Sequence, residues 1–287
     1  MYAFLAMQMI GLFGNAIVLL TVIISKNLTR QPTWINFSVG WIISTLSYCL
    51  LLFAGMVHDY SPPHNLCVVQ AALIYAVPPF TAAMTLGLAI EVWLNVRKVL
   101  KLSTPQNTWT RVLLIFPYIL LIAFFIAWLV TGLKNSTMAR RKHYKPYCDF
   151  ASHDPSTVSA GAVLVIMLPT VAFEFSAVFS LFCDWNRFRD RQGSLSAVIR
   201  IISFTICGVI GMVVGWVFMI MKNHGPGLNI AISILPVVAA LIFGSQSDIL
   251  RVWMFWSKPP EAPTLTLETA ESIDAYDRGQ RPRAPSA

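Results

Sequence analysis

Residues 67–98, CVVQAALIYAVPPFTAAMTLGLAIEVWLNVRK, carry no charged side chain between Val68 and Ile90. A run of that length crosses a bilayer core of roughly 30 Å as a single helix. Ala72, Ala76, Ala83 and Gly87 recur within it at steps of four, seven and four. At about 100° per residue they fall within about 60° of one another, a small-residue seam of the kind that lets membrane helices approach closely. Pro78-Pro79 sits mid-span, where missing amide donors are tolerated only if neighbouring helices or water satisfy the freed carbonyls. Both features assign this helix to the interior of a bundle. It opens on Cys67 and closes on Glu91, Arg97 and Lys98, so each end carries a group that can be tied to something else.

The composition agrees. A chain of 287 residues that is 56% hydrophobic and 12% charged is too apolar for a soluble domain of its size, and reads as a polytopic membrane protein. The net charge of +8 accompanies no nucleic-acid-binding motif. It follows instead from the enrichment of Lys and Arg in cytoplasmic loops.

Charges and turn residues cut the sequence into seven predicted spans, at 3–25, 36–57, 67–94, 112–133, 158–182, 197–221 and 228–245. The first has no preceding basic region or small-residue cleavage site and reads as a retained helix rather than a signal peptide. Placing the N-terminus outside puts 15 of the 21 Lys and Arg on the cytosolic side and 6 on the other. That matches the positive-inside bias. The fourth loop is the exception, with five basic residues, and holds the glycosylation sequon Asn135-Ser136-Thr137.

Cys49, Cys183 and Cys207 fall in or beside spans and read as buried apolar residues. Cys67 and Cys148 both fall on the outer, oxidising side, where a bond between them would pin the fourth loop across the bundle mouth. After the last span, residues 248–256 read as an interfacial helix with tryptophans at the headgroup level, or as a further turn or two of span seven. The predicted domains are thus a seven-helix membrane domain over 1–256 and a disordered cytoplasmic tail over 257–287, rich in Pro, Ser, Thr and Glu.

With these residues in place the chain resembles the rhodopsin-like G-protein-coupled receptors, and most closely a seven-helix receptor-like family of basidiomycete fungi. Gly14-Asn15 matches the Gly-Asn pair of span one, and Cys67 and Cys148 stand where that superfamily's bridging cysteines stand. Glu91 lies 24 residues after Cys67, at the acidic position of the Asp/Glu-Arg-Tyr triplet. Pro169, Pro236 and the segment FGSQSDILRVWMFW also have counterparts. The resemblance implies a plasma-membrane receptor that binds a small ligand outside and a heterotrimeric G protein inside. The chain departs from it in reading Glu91-Val92-Trp93, in having no carboxylate in span two and no Cys-Trp-x-Pro in span six, and in carrying Ala239 where a tyrosine is expected.

Glu91 and Glu174 are the two carboxylates within the predicted spans. Ionisable groups at that depth are functional candidates by default. One reading pairs Glu91 with Arg200 as a cytoplasmic latch that breaks as span six moves. The other leaves both snorkelling at the headgroups. Glu174, five residues past Pro169, is read as protonated and hydrogen-bonded to a neighbouring helix. With Asn15, Pro169 and Pro236 these make the predicted switch. Gln70, Tyr75, Trp216, Asn229 and Ser233 are candidates to face a ligand in the outer half, and Lys98, Arg187, Arg189 and Arg191 form a basic inner surface for lipid or a partner.

Other classes fit less well. A retinal protein needs a lysine in its last span, and none lies between Gly227 and Arg251. Seven-helix metal hydrolases need His and Asp inside the bundle, but all five histidines fall in loops, so neither an enzyme nor a cofactor is expected. A small-solute transporter, for which broken helices would suit, and a non-signalling scaffold are the alternatives.

Overall fold

The computed structural model describes residues 2–25, 30–57, 62–99, 108–134, 139–141, 145–183, 206, 208–213, 216–217 and 226–254. Asn135, Arg187, Arg189, Arg191, Arg200 and the tail lie outside these residues, and so does the latch that Arg200 would complete. The described chain forms helices α1 (Tyr2–Ile24), α2 (Pro32–Tyr48), α3 (Leu50–Phe53), α4 (His64–Val99) and α5 (Thr108–Lys134). A hairpin of β1 (Ala139–Arg141) and β2 (Cys148–Phe150) follows, then α6 (Asp154–Cys183), α7 (Pro226–Gly244) and α8 (Ser247–Trp253). Residues 206, 208–213 and 216–217, in the predicted sixth span, are helical as well. The chain divides into two compact units, Met1–Val252 and Trp253–Ala287, and only Trp253 and Met254 of the second are described.

Four helices are long and apolar enough to cross a membrane: Tyr2–Ile24, His64–Lys98, Arg111–Lys134 and Asp154–Cys183. The chain is therefore a helical membrane protein. In the apolar windows of these four, 67% of the residues of α4 are buried against 6% of those of α5, so α4 is the central helix and α5 a peripheral one. The small-residue seam of α4 explains its place: Ala72, Ala76, Ala83 and Gly87 are all buried. The helix runs unbroken through Pro78 and Pro79. On α5, Ile115, Ile119, Ile122 and Ile126 form an exposed stripe at helical spacing, a face for lipid tails.

Lipid is as apolar as leucine, so helices in it associate through close packing and hydrogen bonds. The contact of α1 with α7 uses both. A Cβ at Gly11 would come 2.7 Å from Pro236 Cβ, and one at Gly14 would come 2.8 Å from Ala240 Cβ, so the backbones meet where only glycine fits. Asn15, buried beside them, donates from Nδ2 to the carbonyls of Gly11 at 2.7 Å and Pro236 at 2.9 Å. The Gly-Asn pair and Pro236, picked out singly in the sequence, are thus one contact.

Two elements differ from the sequence reading. The predicted span 36–57 is interrupted at Cys49, where α2 ends and the short α3 begins. The Ser47 and Tyr48 carbonyls at that break accept from the side-chain amide of Gln70 on α4, each at 3.3 Å, which supplies partners the helix no longer provides. The fourth loop, with no strand expected, forms an antiparallel hairpin in the register Ala139 with Phe150 and Arg141 with Cys148.

Candidate functional site

The hairpin is fastened to α4 from both of its faces. Cys148 is bonded to Cys67 at the start of α4, with Cα atoms 5.2 Å apart across 81 residues of sequence. The Cys148 amide donates to Gln70 Oε1 at 3.0 Å, so one buried glutamine ties β2, α4 and the end of α2 together. Phe150 stacks on Tyr75 with ring centroids 5.7 Å apart, and the Trp128 ring lies 6.4 Å from each of them. Gly132 of α5 makes room for this packing, since a Cβ there would come 2.8 Å from Val68 and 3.0 Å from Phe150.

Pinning Cys148 carries its neighbours inward. Lys145 and Asp149 are each only 4% exposed and form an ion pair, and the Tyr75 hydroxyl donates to the second oxygen of the same carboxylate. Tyr147, between them in sequence, donates to Asn229 Oδ1 of α7 at 2.8 Å and packs its ring against Phe4 and Tyr48. A buried ion pair is costly to desolvate and holds only where further hydrogen bonds complete it, as Tyr75 does here.

Lys145, Tyr147 and Asp149 line one end of a cavity of about 220 Å³ that runs between α2, α4, α6 and α7. Polar side chains gather at the hairpin end, where Tyr75, Ser156 and Ser159 join the ion pair. The far end is lined by Phe37, Trp41 and Phe243, with the rings of Phe37 and Phe243 5.1 Å apart. Thr81 and Thr85 line the middle, but their hydroxyls donate to carbonyls of their own helix at 3.1 Å and 2.8 Å, leaving that stretch apolar. Gly208 and Gly211, from the helical residues of the sixth predicted span, complete one side.

Of the ligand-facing candidates, Tyr75 lines this cavity. Gln70 has its amide committed to backbone groups, and Asn229 is held by Tyr147. Ser233, fully buried, donates to the Ile230 carbonyl at 2.8 Å, with Met7 Sδ 3.4 Å from the same hydroxyl. Trp216 is 58% exposed. Lys145 and Asp149 were not singled out by sequence reasoning. The available signal was their position, three residues before and one residue after the pinned Cys148.

At the other end of α4, Glu91 is half-buried and its Oε2 has no hydrogen-bond partner among the described residues. Two residues on, Trp93 meets Phe173 of α6 with centroids 5.3 Å apart, and the Arg97 guanidinium lies 4.8 Å over the Trp93 ring. Lys98 beside it is exposed. Glu174 is 4% exposed, and neither carboxyl oxygen has a hydrogen-bond partner among the described residues. It lies against Gly208, where a Cβ would come 2.7 Å from Oε2. Pro169, one turn earlier, is half-buried within an unbroken α6.

Among the described residues no three His, Cys, Asp or Glu side chains gather as a metal site requires. No family model matches the chain, and no curated protein matches it.

Proposed function

We propose that this chain is a seven-transmembrane receptor of the G-protein-coupled kind, set in the plasma membrane with its N-terminus outside and its tail in the cytosol. It would pass an extracellular chemical signal to a heterotrimeric G protein. The observation that carries this reading is a cavity among the helices, lined at one end by a disulfide-pinned hairpin whose buried ion pair borders it. The helices α4 and α6 that line the cavity continue past it to Glu91, Trp93 and Phe173. A ligand that binds one arrangement of those helices better than another biases the far surface.

The test is nucleotide exchange on fungal Gα subunits by the protein reconstituted in lipid, comparing wild type with Glu91→Gln. Exchange above that of empty vesicles, altered by the substitution, supports a receptor whose inner switch works without the triplet arginine. No exchange on any Gα from protein with an intact Cys67–Cys148 bond would sink it. Faster movement of a sugar, amino acid or ion into proteoliposomes than into empty ones would then favour transport.

A further inference from the structure

The cavity is long and narrow. Four of the helices that form its walls contribute over the same extent: Phe37 to Tyr48 on α2, Ile74 to Thr85 on α4, Ser156 to Met167 on α6 and Ile232 to Phe243 on α7. Each pair is eleven residues apart in sequence. At about 1.5 Å per residue the bore runs about 16 Å along the helix axes. A volume of about 220 Å³ spread over that length leaves no width for two hydrocarbon chains side by side. The length is also that of a single leaflet, since a hydrocarbon core of about 30 Å holds two.

Chemistry is confined to the hairpin end. The Lys145 ammonium can donate three hydrogen bonds and makes one, to Asp149, while lying 4% exposed at the wall of the cavity. The Tyr147 ring, its centroid 5.4 Å from the ammonium, takes up a second direction, so one N–H donor remains for an occupant. The Tyr75 hydroxyl is already spent on Asp149. Because Asp149 neutralises Lys145, an arriving carboxylate or amine would add an uncompensated charge to a site removed from water, which is strongly unfavourable. An uncharged oxygen acceptor takes the spare donor and leaves the charge balance alone.

We propose that the cavity binds a single-chain lipid about one leaflet long, with an uncharged oxygen head (an alcohol or an ester) at Lys145 and its chain reaching Phe37 and Phe243. This assignment rests on reading the cavity as the ligand site. A free long-chain alcohol and a monoacylglycerol drawn from the membrane share the required chemistry.

The experiment measures saturable binding of radiolabelled tetradecanol to the full-length protein in lipid nanodiscs, against empty nanodiscs. Competitors are the straight-chain alcohols from hexanol to octadecanol, tetradecanoate, tetradecylamine and monomyristoylglycerol. The expected result is tightest competition near dodecanol and tetradecanol, at least tenfold weaker for hexanol, octadecanol and both charged heads. The better of tetradecanol and monomyristoylglycerol identifies the source. Ala160→Phe and Val163→Trp, which narrow the bore from α6, each reduce binding at least tenfold; two positions guard against one variant that fails to fold. Affinity that climbs steadily with chain length, as partition into lipid does, or equal competition by tetradecanoate, would overturn the proposal. Saturable tetradecanol binding without any Gα response would leave the lipid assignment standing and remove the receptor. Exchange driven by a small polar solute alone would do the reverse.

Discussion

Lys145→Met removes one partner of a buried ion pair and leaves Asp149 held only by the Tyr75 hydroxyl. Both charged side chains are 5% exposed, so solvent does little to screen the loss. Stranding a buried charge in this way costs about 3–5 kcal/mol. Adding Asp149→Leu removes the stranded charge, and the remaining cost is that of the Tyr75 hydroxyl without its acceptor, about 1–3 kcal/mol. Adding Tyr75→Phe removes that as well, so the triple variant returns to within about 1 kcal/mol of wild type, as apolar replacement of buried ion pairs commonly does. The assay is unfolding in mixed micelles with rising anionic detergent, with wild type and the three variants compared under one condition. The expected order of stability is single lowest, double intermediate, triple near wild type. A single-variant loss below about 1 kcal/mol, the value of a solvated pair, would refute the reasoning. So would a triple variant as unstable as the single.

Cys67→Ser or Cys148→Ser opens a closure of 81 residues, for which chain entropy gives a loss of about 4–5 kcal/mol; the check is thermal unfolding with and without reductant, wild type alone responding to the reductant. Gly11→Leu forces a side chain into Pro236 and should destabilise by about 1–3 kcal/mol or more. Gly161→Ala, where nothing lies within 4 Å, should be neutral or stabilising by a few tenths of a kcal/mol up to about 1, so the pair tests whether the α1–α7 approach is as close as 2.7 Å. Asn15→Ala removes two hydrogen bonds, one of them to α7, and should cost about 1–2 kcal/mol by the same unfolding titration.

The long helices were legible because a membrane core imposes an uncharged run of fixed length, and α4 was legible as the interior one because its small residues share a face. Their ends were less so. The predicted spans 112–133 and 158–182 are apolar runs, whereas the helices extend to Thr108–Lys134 and Asp154–Cys183, since backbone hydrogen bonding continues past the membrane boundary. The break at Cys49 left no composition signal, because a glutamine on another helix completes the carbonyls there. Cys67 and Cys148 were readable as a pair from the side of the membrane predicted for both, and the bond between them is present. What that bond does to its neighbours was not readable. A count of loop charges treats Lys145 as solvated, and only the fold brings it within reach of Asp149 beneath Tyr75. Most of the polar residues proposed for a ligand, Gln70, Asn229 and Ser233, are occupied in holding helices and hairpin together. Sequence shows that such a group must be satisfied in the membrane without showing by what.

A chain that crosses the membrane seven times has its two termini on opposite sides of it. Epitope tags fused at Met1 and Ala287 and probed with antibody in intact and permeabilised cells measure this directly. Seven spans with the N-terminus outside require the first tag to be bound in intact cells and the second only after permeabilisation. Both tags reached from the same side would contradict the seven-span receptor.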